Sequence, residues 1–404
     1  MNSLESTITA AGAAACLWDA VVIGAGPAGA LTARQLADGG RRVLLLDAKT
    51  FPREKVCGGC INEQALSALT NVGLRKVIAD LPAFPIREYD LRLRGRSVRI
   101  ASQGGIAVSR ADLDTAVVCE AIHSGADLLL GTTGRLVPRA ANDWSPTSGQ
   151  ATEFREVQLE AAGAPLARVR GRVVVIADGL VRKSLQQTSE LPVCTAANSW
   201  IGLHAVYSAD QDSCPPGQVR MLIGRHGYVG TVQFQNNTIN LAAAVAPDAL
   251  RRCGTAAVLI SELFESAGVA VPGGLAELSW VGTGPLTRRS RSVAGHRVMV
   301  IGDAAGYVEP FTGEGVGQAM TSAVQLADIL LNAELANESA MSAAWNTCYR
   351  RNVAGRQWMC RGLSLALHRP WVAELAFQMA LMCPYIPQFI ANRLNTPLAG
   401  APAS

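Results

Sequence analysis

The sequence predicts an α/β fold: a discontinuous Rossmann-like dinucleotide-binding domain, an antiparallel-sheet substrate domain set into it, and a C-terminal helical extension. Three observations carry this expectation. A short apolar run at Ala20–Ile23 opens into Gly-x-Gly-x-x-Gly at Gly24, Gly26 and Gly29 and then into helical spacing. A second apolar run, Arg297–Ile301, returns near residue 300 with its own glycine-rich turn. Between the two lie strands that alternate polar and apolar residues, as half-exposed antiparallel sheets do.

The chain has 404 residues, more than one simple core organises, so two domains or one domain with a large insertion is expected. The net charge of +4 gives no case for nucleic acid. The ten cysteines have no framework-like spacing, which points to free thiols in a reducing cytoplasm. Residues 1–17 carry Glu5 and no early Lys or Arg, so they read as a flexible leader without a secretory n-region.

In the first motif, Gly24 permits the tight exit from the strand, Gly26 lets the backbone approach a pyrophosphate, and Gly29 lets the helix pack closely on the strand. Gly39-Gly40 stops that helix. Val43–Leu46 is a second buried strand, and it ends in Asp47, a carboxylate placed for a ribose 2′-hydroxyl. The Lys49–Cys60 loop is basic and then glycine-rich, and Asn62 caps the helix that follows it to about Asn71. Cys57 and Cys60 form a C-x-x-C, open to a dithiol role. No second C-x-x-C or nearby His pair completes a zinc site, so no metal is expected. The other reading has the loop passing close to a flat ligand, with Cys57 as its wall.

Leu91–Ile100 alternates around Gly95 and reads as a hairpin of the second domain. Ser109 caps a helix to about Ser124, and Arg168–Ile176 is a strand that ends at Asp178-Gly179. Ile201–Tyr207, Tyr228–Phe234 and Thr238–Val245 are the main strands of the substrate sheet, with a turn at Asn236-Asn237. Cys253–Ala267 reads as one amphipathic helix and Leu278–Thr283 as a returning strand. The boundaries that follow are 18–84, 105–184 and 285–335 for the cofactor domain and 85–104 and 185–284 for the substrate domain.

The second motif runs Gly302-Asp303-Ala304-Ala305-Gly306, then Pro310–Met320, then a helix to about Leu331. Asp303 at a strand's end suits a sugar-like hydroxyl. The N-terminus of that last helix would stabilise the negative charge that a reduced flavin carries at N1/C2. Residues 336–404 hold six Arg and two Glu, which accounts for the whole net charge, with Trp345, Trp358 and Trp371 among them. A helix over Met341–Leu367 and an apolar run Leu375–Asn392 broken by Pro384 and Pro387 read either as a helical cover or as a peripheral contact with a membrane.

GAGPAG, Asp47, the Lys55–Gly59 loop, Ser109-Arg110, Asp178-Gly179 and GDAAG…PFTGEGVGQAM together resemble the FAD-dependent geranylgeranyl reductases, within the para-hydroxybenzoate hydroxylase-like flavoproteins. The resemblance implies an FAD-binding domain in which Gly24, Gly26, Ala28 and Gly29 hold the pyrophosphate. It places Asp47, with Ala48 beside it, on the adenosine ribose, and Arg110 at the phosphate–ribose end. Asp303 would bind the ribityl or pyrophosphate region, and Asp178 belongs to the same cofactor set. Gly315, Val316 and Gly317 would face the isoalloxazine. Cys57 and Gly58 would line it on the substrate side, with Lys55 of the same loop among the cofactor-binding residues, Cys57 as the candidate catalytic proton donor and ordered water as its rival. Gly306 and Glu314 stand where related aromatic hydroxylases usually have His and Gln. Gly227–Phe234 keeps the Gly-Tyr of the reductases' aromatic stretch without its Trp and Pro. The expected reaction is reduction of a carbon–carbon double bond in an apolar small molecule, with NAD(P)H visiting the flavin transiently. A flavin-dependent monooxygenase acting on a phenol and a non-catalytic flavin-binding partner protein are the alternatives.

Overall fold

Five strands can stand side by side and parallel because their carboxyl-terminal stretches are apolar on both faces. In the computed structural model, which describes residues 3–139, 153–211, 214–309, 311, 313–383 and 385–395, they run in the order Val298–Val300, Ala164–Ile176, Leu17–Ile23, Val43–Leu46 and Asp127–Leu129. Val43–Leu46 and Val298–Val300 are buried at every position. Arg155–Ala161 pairs antiparallel with the first half of Ala164–Ile176 and extends this sheet at one end.

The helices are α1 (Ala10–Ala14), α2 (Pro27–Asp38), α3 (Glu63–Asn71), α4 (Arg75–Asp80), α5 (Arg110–His123), α6 (Pro247–Cys253), α7 (Ala256–Ser266), α8 (Gly315–Asn332), α9 (Glu338–Tyr349), α10 (Gly355–Leu367), α11 (Pro370–Met382) and α12 (Tyr385–Asn395). The expected caps are in place: Asn62 Oδ1 accepts from the Ala65 amide at 3.1 Å, and Ser109 Oγ from the Asp112 amide at 3.0 Å. Helix α2 packs against both α5 and α8, so the two glycine motifs, far apart in sequence, are neighbours in space.

The second sheet has seven strands, ordered Val281–Pro285, Ile201–Ser208, Thr238–Val245, Gly227–Gln233, Gln218–Gly224, Glu88–Leu93 and Arg96–Ala101. It is antiparallel except where Gln218–Gly224 runs parallel to Glu88–Leu93. One face packs on α7 through Leu222, Val229, Leu241, Ile260 and Phe264. The other face, with Met221, Tyr228 and Ala244, packs with Leu367 of α10 and Phe377 of α11.

Several expectations need correcting. The leader is not a free tail. Thr9 caps α1, Ala13 is fully buried and receives the Trp18 indole N–H at 2.9 Å, and the Leu4 and Thr7 amides donate to Phe51 and Leu128. Its alanines fill space at the edge of the sheet, which a reading for charge and apolar bulk overlooks. The helix expected over Cys253–Ala267 is α7 and starts at Ala256, because Gly254 at φ +79° ends a preceding helix, α6. The Met341–Leu367 helix is α9 and α10, joined through a π-helical turn at Arg350–Ala354. The returning strand starts at Val281 rather than Leu278. Pro310, Thr312 and Pro384, which the sequence reading used, lie outside the described residues.

Candidate functional site

The site lies at the carboxyl ends of the parallel strands, where the turns after Ile23, Leu46, Ile176 and Val300 come together. They are packed too tightly for side chains. A Cβ on Gly29 would fall 1.8 Å from the Gly24 carbonyl oxygen, and one on Gly24, at φ +103°, would fall 2.5 Å from that of Ala177. A Cβ on Gly302 would lie 3.0 Å from the Ala28 Cβ, so Ala28 is the point where the second motif rests on the first.

Gly26 is the N-cap of α2 and offers no side chain to its first amides. A Cβ built there would meet only Arg53 Nη2 at 3.7 Å and Arg110 Nη2 at 3.8 Å. Two guanidiniums therefore overlook free helix N–H groups, a donor set suited to a pyrophosphate. Asp114, fully buried, holds the pair. It accepts from Arg110 Nε and Nη2 at 2.8 Å each and lies 3.5 Å from Arg53. Burial opposes charge on Arg110, but Asp114 and Cys57 together outweigh this and raise its pKa. Asp47 closes the ring: Oδ2 accepts from the Ala25 amide at 2.8 Å and from Arg53 at 3.3 Å, and Oδ1 from the Lys49 amide at 2.9 Å. Ala48 adjoins it on the exposed side of the turn.

Lys55 sits over the Asp178-Gly179 turn, its Nζ 3.1 Å from where a Gly179 Cβ would lie. Burial pushes the ammonium pKa down, Arg110 adds to this, and Asp303 partly opposes it. Burial likewise raises Asp303, against the pull of Lys55 and Arg110. Burial raises Asp178 too, although its Oδ2 accepts from the Ser184 amide at 2.9 Å; its Oδ1 has no partner among the described residues. Orphaned or strained charges at one concave spot mark a place where a polar ligand belongs.

Cys57 is half-buried, and its side chain lies beside the Arg110 guanidinium. Its carbonyl accepts from Asn240 Nδ2 at 3.0 Å, and Asn240 Oδ1 in turn pairs with buried His204 Nε2 at 2.8 Å. Gly58 faces open space, whereas a Cβ on Gly59 would lie 2.5 Å from the Phe234 ring. The loop is thus pinned between α5 and the second sheet. Cys57 and Cys60 are free thiols, and burial, with Cys57 next, holds Cys60 in its protonated form. Among the described residues no group of His, Cys, Asp and Glu is arranged to hold a metal.

Gly315, Val316 and Gly317 open α8 as expected. The close approaches seen there are to other parts of the chain: Gly315 to the Tyr307 ring, and Gly317 to Asn62 Oδ1, 2.6 Å from a built Cβ. Sequence reasoning missed Arg53, Asp114, His204 and Asn240 as site residues. Only Arg53 had a usable signal, as a cation in the basic loop after Asp47. It also missed Glu309, a buried carboxylate that meets His368 Nε2 at 2.9 Å and accepts from Ser364 Oγ at 3.0 Å, while the His368 ring stacks on Trp200 at 4.0 Å. Next to this group Tyr228 meets Phe311 edge-on at 5.0 Å, and its buried hydroxyl has no partner among the described residues.

Residues 18–97 match the family model described as FAD binding domain. The arrangement fits that cofactor: paired guanidiniums and a bare helix N-terminus for the pyrophosphate, and Asp47 and Asp303 for sugar-type hydroxyls. The chain is 28% identical over 344 residues to a menaquinone reductase of Mycobacterium tuberculosis, covering 79% of this chain and 78% of that protein. It is 24% identical to a digeranylgeranylglycerophospholipid reductase of Methanoculleus marisnigri, covering 90% of each. Its fold is that of a flavin-dependent brominase, at TM-score 0.75 and 19% identity over 94% of each chain.

Proposed function

Taking the chain as the FAD-dependent oxidoreductase that its FAD-binding segment and reductase relatives make it, we propose that it reduces a carbon–carbon double bond in an apolar, isoprenoid- or lipid-like substrate. One observation carries the reading. Next to the Cys57–Gly59 loop and Tyr307 the interior is continuous with an aromatic and aliphatic cluster of Trp200, Tyr228, Phe234, Phe311, Leu286 and Phe377. Such apolar surroundings beside the loop favour a greasy guest over a charged one. The relatives named for menaquinone and for a digeranylgeranyl phospholipid support the same class.

When bound, FAD would supply the hydride, taken in turn from a nicotinamide donor that visits it transiently. The chain's own groups do the rest. Arg53, Arg110 and the start of α2 hold the pyrophosphate, and Asp47 and Asp303 hold hydroxyls. Asn240 and Arg110 fix the Cys57 loop, and the Cys57 thiol would give its proton to the second carbon and regain one from water. Hydride and proton together saturate the double bond.

The test is anaerobic. The FAD-loaded protein is reduced chemically, mixed with a polyprenyl quinone or a polyprenyl phospholipid, and followed by absorbance. Return of the oxidised flavin spectrum without oxygen, with two hydrogens gained in the polyprenyl chain by mass spectrometry, supports the proposal. Return only on admitting oxygen, with oxygen found in the product, assigns a monooxygenase instead, and bound FAD with no turnover by any donor assigns a flavin-binding partner.

A further inference from the structure

Helix α11 is apolar almost all round, and its outward side is uncovered. Trp371 is 68% exposed and Met382 86%, with Leu375 and Met379 between them at helical spacing. Tyr385, Ile386 and Phe389 continue the face on α12, at 84%, 44% and 70% exposure. A helix of this kind is found buried or in contact with lipid.

The inward side is accounted for. Phe377 is buried under the Arg96 guanidinium, Glu374 pairs with Arg94 and Arg96, and Gln388 bonds both backbone groups of Ala101. The outer face is therefore held rigidly, not left loose.

The charge around it selects the occupant. Residues 336–404 carry six Arg and two Glu, and both Glu are engaged, Glu374 as above and Glu338 with Ser342 and His296. Exposed Arg369 directly precedes α11, and exposed Arg99 lies on the hairpin that the two helices cover. A second copy docking by twofold symmetry would set this basic rim against itself. An anionic surface would be attracted to it. The rings of Trp371 and Tyr385, each an apolar body with a polar tip, suit a membrane–water interface. Among the described residues no helix is long and apolar enough to cross a membrane.

We propose that the outer face of α11 and α12 docks on an anionic lipid bilayer, lying in its interface. The docking does not depend on which double bond the enzyme reduces. It places the apolar cluster beneath α10 and α11, which contains Tyr228 and Trp200, next to the membrane.

The test is flotation of the full FAD-loaded chain with vesicles of phosphatidylcholine alone and of an equimolar mixture with phosphatidylglycerol. The protein is expected to float with the mixed vesicles, to do so less well with the neutral ones, and to be released as salt rises. The triple variant W371E/M382E/F389E is expected to bind the mixed vesicles about tenfold more weakly or worse, with its flavin spectrum and melting temperature unchanged because all three side chains are exposed. Wild-type protein that ignores both vesicles, or a triple variant that binds as wild type does, overturns the proposal. So does a triple variant that loses only a dimer seen by sedimentation velocity, which would give the face to a second copy.

Discussion

Gly29→Ala tests the convergence of turns at its tightest point. The new methyl carbon would start 1.8 Å from the Gly24 carbonyl oxygen and 3.0 Å from the Ala177 Cβ, both belonging to buried turns that cannot swing aside. To reach even the 3.0 Å limit of real contacts, α2 must retreat by at least about 1.2 Å. It is clamped from behind by α5 and α8, so overpacking of this kind costs about 1–3 kcal/mol. The retreat also draws the first amides of α2 away from the pyrophosphate. Charge-assisted bonds are worth about 1.5–3 kcal/mol each, so losing one or two weakens FAD binding by about tenfold or more. The assay is an absorbance titration of FAD-free protein with FAD, paired with thermal unfolding. Gly40→Ala is the control: at φ +77° with nothing within 4 Å it adds only local backbone strain, about 1–2 kcal/mol, and leaves FAD affinity alone. Should Gly29→Ala bind FAD and melt as wild type does, the account of the turn is wrong.

Three further substitutions probe the charges around that turn. Asp303 has its folded pKa raised by burial, so the FAD-free protein is most stable where this carboxyl is protonated and loses that contribution as pH rises through the raised value. Asp303→Asn should therefore raise the melting temperature of FAD-free protein at neutral pH, by an amount that vanishes in acid, while weakening FAD about tenfold or more through the lost charged bond. Asp114→Ala leaves two buried guanidiniums short of their partner and should cost about 3–5 kcal/mol in denaturant unfolding, part of it recovered on adding FAD. Asn240→Leu frees the Cys57 carbonyl and deprives His204 of its acceptor; turnover should fall about tenfold for a loss of about 1–3 kcal/mol in stability, with FAD still bound at full occupancy.

What could be read from the sequence follows a physical division. Strands buried on both faces appear as unbroken Val, Ile and Leu runs, and the glycines of the two motifs are demanded by local geometry, so the Leu17–Ile23 and Val298–Val300 strands, α2 and α8 were legible. Caps at Asn62 and Ser109 are local as well. Gln218–Gly224 was not legible because buried Arg220 sits inside it and it has no alternation, every position but the last being buried. The supporting charges were hidden for another reason. Asn240 acts on a carbonyl 183 residues away, and His368 on a carboxylate 59 residues away, distances over which a sequence shows only isolated polar residues. The leader fell between these cases, since small alanines bury well but give little periodic signal.

The most direct test of the central claim is the mass of the product formed in heavy-oxygen gas. FAD-loaded protein, a nicotinamide donor and a polyprenyl substrate are incubated with and without that gas. The account predicts a product heavier than the substrate by two hydrogens in both cases and free of labelled oxygen. A labelled oxygen atom in the product, with no product formed anaerobically, would contradict it.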